Sequence, residues 1–143
     1  SADSNGLWVM ANKSLKAVDL ATLPYPGIAT DYKPFLVAML AVSEGVGIVT
    51  ENLFSGRFRY IDELIRMGAD IRTEGHHAVI RGVENLSGAP VRAHDIRAGA
   101  ALVVAALRAQ GQTEIREPSH IDRGYENLVE NLSSLGADIS REN

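Results

Sequence analysis

The sequence has no cysteine, no long apolar run and no cluster of basic residues, and each absence excludes a class of protein or site. Without Cys there are no disulfides, thiolate metal sites or cysteine nucleophiles. The longest apolar run, 98–107, contains Gly99 and is roughly half as long as a membrane-spanning helix requires. The 14 Lys plus Arg residues are scattered singly among 18 Asp plus Glu residues, which predicts no extended surface for nucleic acid or membrane.

The remaining composition is that of one globular domain. The chain has 143 residues, 45% of them hydrophobic, and a formal net charge of -4. A chain of this length buries about two thirds of its unfolded surface without a disulfide or metal. Residues 1–6 lack the positive start and apolar core of a signal peptide, so we expect a cytoplasmic protein. We interpret residues 1–14 as a tag or linker, in which residues 7–10 are a possible strand of a preceding unit.

Short strands alternate with amphipathic helices along the rest of the chain, which is typical of a layered α/β fold. The first half predicts strand 15–21, helix 35–43, strand 46–50, helix 60–67, and strands 69–73 and 78–83. The second half predicts strand 90–93, helix 96–109 with Asp95 as its N-cap, strand 113–116, helix 127–135 and strand 137–140. Both halves follow the same order of elements.

The two halves also share residues at a nearly constant spacing, as repeated units do. Gly45 has a counterpart in Gly111, and Arg57 has one in Arg123 at the same spacing. The segment 64–71 returns as 132–139, with five of six compared positions identical. We therefore predict two copies of a βαβαββ unit, the first at about 15–83 and the second, cut short, at about 90–143.

Three arginines are candidate anion ligands, because each is expected in a turn or at a helix start, beside free backbone N–H groups. They are Arg57, Arg97 and Arg123. The alternative for each is a surface ion pair, for example between Arg123 and Asp122. The repeat favours the anion site, because Arg57 and Arg123 occupy equivalent places in the two units.

Two aspartates, Asp31 and Asp95, each precede a predicted helix. Either could be an N-cap that accepts a backbone N–H. Either could instead be a carboxylate at the domain edge that accepts a hydrogen bond or a proton from a substrate hydroxyl. The residues alone leave both interpretations open.

The four histidines do not predict a metal site. His76 and His77 are adjacent on a strand and so face opposite sides, and no HExxH spacing accompanies them. Glycine-rich nucleotide motifs and the GxSxG nucleophile motif are also absent. Aromatic residues such as Tyr60 fit core or turn packing better than a stacking platform. The residues thus predict no cofactor.

Several strings together resemble the C-terminal part of the UDP-N-acetylglucosamine 1-carboxyvinyltransferases, a branch of the enolpyruvyl transferase family. The resemblance extends from about residue 15 to residue 139, with the motifs in the family's order. The strings are PYPGxxTD at 24–31, TExxFxxRF at 50–58, ELIRMGA at 63–69, DxRA at 95–98 and HIDRGYE at 120–126. The first and last favour this branch over the shikimate-pathway enolpyruvyl transferase, which remains an alternative.

The resemblance implies an inside-out α/β barrel of two domains, each with three βαβαββ units around a pseudo-threefold axis and the active site in the cleft between the domains. It implies transfer of enolpyruvate from phosphoenolpyruvate to the 3-hydroxyl of UDP-N-acetylglucosamine through a tetrahedral intermediate, with release of phosphate and without a metal. In bacteria this reaction begins the synthesis of peptidoglycan precursors.

Site residues also follow from the resemblance. Asp31 corresponds to the aspartate that binds the sugar 3-hydroxyl and is its proposed base, and Leu53 to a residue whose backbone contacts the sugar nucleotide. Arg97 and Arg123 would hold phosphoenolpyruvate, with Arg123 counted beside Asp31 as catalytic. Arg57 would add positive potential.

Asp95 is a further site candidate, because the family's matching aspartate approaches the reacting centre. The chain departs from the family in size, since these enzymes are about three times as long, in line with two domains. The family's phosphoenolpyruvate-binding lysine and asparagine, and the mobile loop with its acid, are missing. The resemblance therefore implies that this chain alone is inactive, because closure and proton donation need both walls of the cleft.

Two further expectations concern partners. A stand-alone noncatalytic domain that binds a ligand or protein is the alternative to an enzyme fragment. A domain with two of three units would also expose an apolar flank, so we expect self-association.

Overall fold

The fold begins with a four-stranded mixed sheet covered by helices. The structure is a computed structural model that describes residues 2–53 and 58–142. Along the sheet the strands are β3 (Leu20–Ala21), β4 (Val46–Thr50), β6 (His77–Arg81) and β5 (Asp70–Glu74). β3 is parallel to β4, whereas β6 is antiparallel to both β4 and β5. β5 and β6 form a hairpin close to the predicted strands 69–73 and 78–83.

The helices of the first unit are α1 (Lys33–Leu40) and α2 (Arg59–Arg66), and a 3-10 turn, Thr30–Tyr32, precedes α1. Their apolar side chains meet alternate residues of the sheet, because successive strand residues face opposite sides. The buried cluster includes Val37, Leu64, Val49 and Ile80.

The second unit contributes two parallel strands and three helices. The strands are β7 (Pro90–Arg92) and β8 (Glu114–Arg116). The helices are α3 (Ile96–Arg108), α4 (Ser119–Asp122) and α5 (Leu128–Ser134). The alanine-rich helix α3 packs against both α1 and α2 and joins the two units into one core. A short hairpin, β1 (Ala2–Asp3) with β2 (Gly6–Leu7), precedes the units.

The hydrogen bonds at the ends of α2 and α5 repeat in the two units. The Ala69 N–H bonds to the Leu64 carbonyl at 3.0 Å, and the Ala137 N–H bonds to the Leu132 carbonyl at 3.0 Å. Both helices end at a left-handed glycine, Gly68 with φ 92° and Gly136 with φ 98°. The repeated segment is therefore a structural repeat as well as a sequence repeat.

The strand predicted at 137–140 does not form; this prediction is wrong. The equivalent strand of the first unit, β5, pairs only with β6. The residues equivalent to β6 would lie beyond residue 143, and within residues 2–53 and 58–142 no strand pairs with residues 137–140 to supply ladder hydrogen bonds.

The strand predicted at 15–21 is shorter than expected. This segment runs beside β4, and the Ala17 N–H bonds to the Glu44 carbonyl at 2.8 Å, but only residues 20 and 21 form a strand. In between, the Asp19 carboxylate accepts the Ile48 N–H at 2.9 Å. A side chain thus replaces a backbone carbonyl and interrupts the ladder.

The structure places no membrane-spanning helix in residues 2–53 and 58–142, where no helix is long and apolar enough to cross a bilayer.

Candidate active site

A polar cleft of about 270 Å³ opens at the N-terminal end of α3. Residues from both units line it, and most of them carry charge or a hydroxyl. They are Thr30, Lys33, Pro34, Arg59, Tyr60, Asp95 and Arg97. A concave site with a few converging polar groups is the usual form of a small-molecule site.

Asp95 builds the start of α3. Its Oδ1 atom accepts the backbone N–H groups of Arg97 and Ala98, each at 2.9 Å. Asp95 is extended (φ -153°, ψ 176°), as an N-cap should be, so the predicted cap is confirmed. The cap fixes the direction in which the Arg97 side chain leaves the helix.

Arg97 links the two units. Its Nη1 atom donates to Asp31 Oδ1 at 2.6 Å, and its Nε atom lies 3.8 Å from Asp95 Oδ1. The hydrogen bond to Asp31, helped by the charges of Asp95 and Asp31, raises the pKa of Arg97 despite partial burial. The guanidinium therefore stays charged at the mouth of the cleft.

Asp31 is not an N-cap; that interpretation is wrong. It lies inside the 3-10 turn, and neither this turn nor α1 has a side-chain cap. Its carboxylate extends to Arg97 instead, because the turn places it opposite the start of α3. Only Oδ1 has a hydrogen-bond partner among residues 2–53 and 58–142, so Oδ2 is available to a ligand.

A buried carboxylate anchors the turn that carries Asp31. Glu51 Oε1 accepts the Thr30 hydroxyl at 2.9 Å, and Glu51 Oε2 lies 3.0 Å from the Lys33 Nζ atom. The Lys33 and Glu51 side chains are each 1% exposed, and the ammonium lies 4.2 Å from the centroid of the Phe58 ring. Glu51 thus holds the residues on both sides of Asp31, at positions 30 and 33.

The other candidate residues have different positions. Arg123 directly follows α4, is exposed and does not line the cleft. A Cβ atom on the next residue, Gly124, would overlap Ile96 Cδ1, which shows how closely this segment packs on the first turn of α3. Leu53 is 37% exposed and also does not line the cleft. Arg57 lies outside the described residues.

Five cleft residues are missing from the sequence-based candidates: Thr30, Lys33, Pro34, Arg59 and Tyr60. Lys33 and Glu51 could not be paired from the sequence, because one begins α1 and the other follows β4. The sequence favours a packing role for Tyr60, which is indeed 4% exposed, but the residue also lines the cleft. Its place just after the TExxFxxRF string, at 50–58, is the one signal that could have indicated it.

The histidines take part in structural contacts. The His94 Nε2 atom lies 3.3 Å from the buried carboxylate of Glu63, and the His77 Nδ1 atom lies 2.9 Å from the Thr50 hydroxyl. Within the described ranges, 2–53 and 58–142, no three potential ligands converge as a metal site would require.

Comparison with known proteins agrees with this geometry. The family model described as EPSP synthase (3-phosphoshikimate 1-carboxyvinyltransferase) matches residues 2–132. The chain belongs to the EPSP synthase family. The structure of the enolpyruvyl transferase NikO from Streptomyces tendae is 34% identical and superposes with a TM-score of 0.82, covering 91% of this chain and 30% of that one. The resemblance and the fold class expected from the sequence are confirmed.

Relatives within the EPSP synthase family are more specific. The UDP-N-acetylglucosamine 1-carboxyvinyltransferase of Corynebacterium efficiens is 56% identical over 96% of this chain and 32% of its own length. That of Mycobacterium tuberculosis is 56% identical over 88% of this chain and 30% of its own length. An EPSP synthase from Acinetobacter baumannii, at 24% identity and a TM-score of 0.61, covers 80% of this chain and 28% of its own and shows the fold alone. This chain therefore spans about a third of the length of the relatives it matches.

Proposed function

We propose that this chain forms one wall of the active site of a UDP-N-acetylglucosamine 1-carboxyvinyltransferase. The observation that carries the proposal is the contact of Arg97 with Asp31 and Asp95, from two repeated units, beside a cleft that Asp95 and Arg97 line. The 56% identity to relatives of that name supports the choice of substrates, UDP-N-acetylglucosamine and phosphoenolpyruvate. We place the reaction in the cytoplasm, as the first committed step of peptidoglycan precursor synthesis. Because peptidoglycan forms the cell wall, this reaction would link the protein to cell shape and cell division.

The reaction has two stages. The sugar 3-hydroxyl loses its proton to a base while its oxygen adds to the substituted vinyl carbon of phosphoenolpyruvate, and an acid protonates the terminal carbon. The tetrahedral adduct then loses a proton from that carbon and releases inorganic phosphate, which leaves enolpyruvate on the sugar. The residues of this chain would supply the base and part of the anion binding.

Asp31 suits the base. Arg97 holds its Oδ1 atom at 2.6 Å, so the carboxylate has a fixed orientation and Oδ2 can accept the hydroxyl proton. Glu51 fixes the turn beneath it through Thr30 and Lys33. Such prior orientation lowers the entropic cost of reaching the reactive geometry.

The arginines suit phosphoenolpyruvate, because planar guanidiniums bind carboxylate and phosphate oxygens in pairs. Arg97 and Arg123 would hold this substrate. Arg57 would add positive potential, Asp95 would approach the reacting centre, and the Leu53 backbone would contact the sugar nucleotide.

We assign the repeated units to about residues 15–83 and 90–143. The matching helix ends at Gly68 and Gly136 support this division. The family model begins at residue 2, which favours a family origin for residues 2–14 over a tag.

The test of the proposed function is a titration of this chain with UDP-N-acetylglucosamine, observed through backbone amide shifts. We expect shifts near Asp31 and Leu53, and Asp31→Asn should weaken binding at least tenfold, since a hydrogen bond to a charged group contributes about 1.5–3 kcal/mol. The control is Asp138→Asn, an exposed aspartate far along the chain from the cleft residues. An Asp31→Asn variant that binds UDP-N-acetylglucosamine as tightly as the unmodified chain would refute the role assigned to Asp31. Absence of any shift would refute binding by this wall alone.

We also propose self-association through an apolar flank. Leu7, Val9 and Met10 are 73%, 80% and 77% exposed, an apolar run that globular surfaces rarely leave open. A second copy of the chain would cover this run. Light scattering should detect a dimer that the double change Leu7→Asp/Val9→Asp converts to monomer. A monomer at all concentrations would contradict the proposal.

A further inference from the structure

Tyr60 lines the cleft, and its buried hydroxyl has no hydrogen-bond partner among the described residues. The residue is 4% exposed, and its hydroxyl makes no hydrogen bond within residues 2–53 and 58–142. A buried hydroxyl without a hydrogen bond is costly, and native proteins rarely keep one. Tyr60 therefore requires an explanation that packing alone does not supply.

The surroundings of Tyr60 place this residue on the cleft side of α2. Tyr60 lines the cleft together with Asp95, Arg97 and Arg59. Burial, and then the negative charges of Glu51 and Asp95, raise its pKa far above the ordinary value. The phenol thus remains protonated and can donate a hydrogen bond throughout the neutral range.

We propose that the Tyr60 hydroxyl donates a hydrogen bond to an anionic oxygen of the substrate bound between Arg97 and Arg59. This inference rests on the proposed function and adds a ligand-binding residue to it. A neutral donor suits this place because the two guanidiniums already supply positive charge, whereas a phenol adds direction. A carboxylate or phosphate oxygen is the acceptor with which such a donor forms its strongest hydrogen bond.

Tyr60→Phe tests the proposal because it removes a single oxygen atom and preserves the ring. Without the unsatisfied hydroxyl, the free chain should become more stable, with a Tm higher by roughly 2–4 °C. Ligand binding should weaken about tenfold or more, because one charge-assisted hydrogen bond is lost. A variant that was only structurally damaged would lose both stability and ligand affinity. A higher Tm together with a weaker affinity therefore indicates the loss of a hydrogen bond to the ligand.

The titration uses phosphoenolpyruvate and UDP-N-acetylglucosamine in separate arms, since both carry anionic oxygens. The substrate whose affinity decreases in Tyr60→Phe is the one that accepts the hydrogen bond. The matched control is Tyr125→Phe, a partly buried tyrosine in the cluster of Ala93 and Ile121, outside the cleft, which should leave both affinities unchanged.

Three outcomes would overturn the inference. Equal affinities in Tyr60→Phe, with Asp31→Asn still defective, would refute the hydrogen bond and leave the proposed function intact. A lower Tm in Tyr60→Phe would show that the hydroxyl has an internal partner. Failure of the unmodified chain to bind either substrate would refute binding by this wall alone, and this inference with it.

Discussion

The buried ion pair beneath the cleft should be one of the most sensitive points of the molecule. Lys33 and Glu51 are each 1% exposed and 3.0 Å apart, so water neither screens the attraction nor solvates one charge when the other is removed. We expect Glu51→Gln to lower the free energy of unfolding by about 3–5 kcal/mol, since it removes the negative charge that lies 3.0 Å from a buried ammonium. For a domain of this size, that loss lowers Tm by roughly 10–15 °C.

The double variant Lys33→Met/Glu51→Gln separates the charge effect from packing. It removes both charges while nearly preserving side-chain volume, and the amide oxygen introduced at position 51 would still accept the Thr30 hydroxyl. We therefore expect the double variant to recover most of the stability that either single change loses.

Urea denaturation followed by circular dichroism measures these free energies. The control is Asp70→Asn, which breaks the exposed pair with Arg81, 3.7 Å apart, and should cost less than about 1 kcal/mol. A loss of unfolding free energy in Glu51→Gln no larger than that in Asp70→Asn would refute the role of burial. A double variant whose loss equals the sum of the two single losses would refute the coupling of the two charges.

Two other predictions concern the surface and the turns. The Arg141 guanidinium donates a hydrogen bond to Asp122 at 2.7 Å and lowers the pKa of that carboxyl below 3.8. The stabilisation from this pair is therefore complete above pH 3.8 and is lost as the pH falls through the lowered pKa. Arg141→Gln should return the NMR titration midpoint of Asp122 towards 3.8, and an unmoved midpoint would refute the pairing. Gly82→Ala should cost about 3 kcal/mol in denaturation experiments, because its Cβ would overlap the Ser43 carbonyl oxygen. Gly75→Ala, with φ 56° but open space around it, should cost only about 1–2 kcal/mol, and equal losses would count against the clash.

Local features of the fold could be predicted from the sequence. The Asp95 cap and the helix that follows depend on contacts within a few residues, and the structure shows both where expected. The ends of α2 and α5 likewise follow from a glycine in a left-handed position. These features can be predicted because all the residues that determine them are neighbours in the sequence.

Features that depend on distant partners could not be predicted in this way. Asp31 resembles a cap until Arg97, from the other unit, is placed beside it. Residues 137–140 have a strand pattern, but no strand pairs with them in the part of the chain that the structure describes. Lys33 resembles an exposed charge, and only the fold shows that it is buried against Glu51. In each case a contact with a residue distant in the sequence decides the outcome.

The ion pair between the units has a consequence for the order of events during synthesis. Because 66 residues separate Asp31 from Arg97, the ribosome adds the arginine roughly 3–13 s after the aspartate. During that interval the nascent chain holds a carboxylate whose counter-ion does not yet exist. The turn that carries Asp31 is therefore synthesised well before the guanidinium that orients its carboxylate.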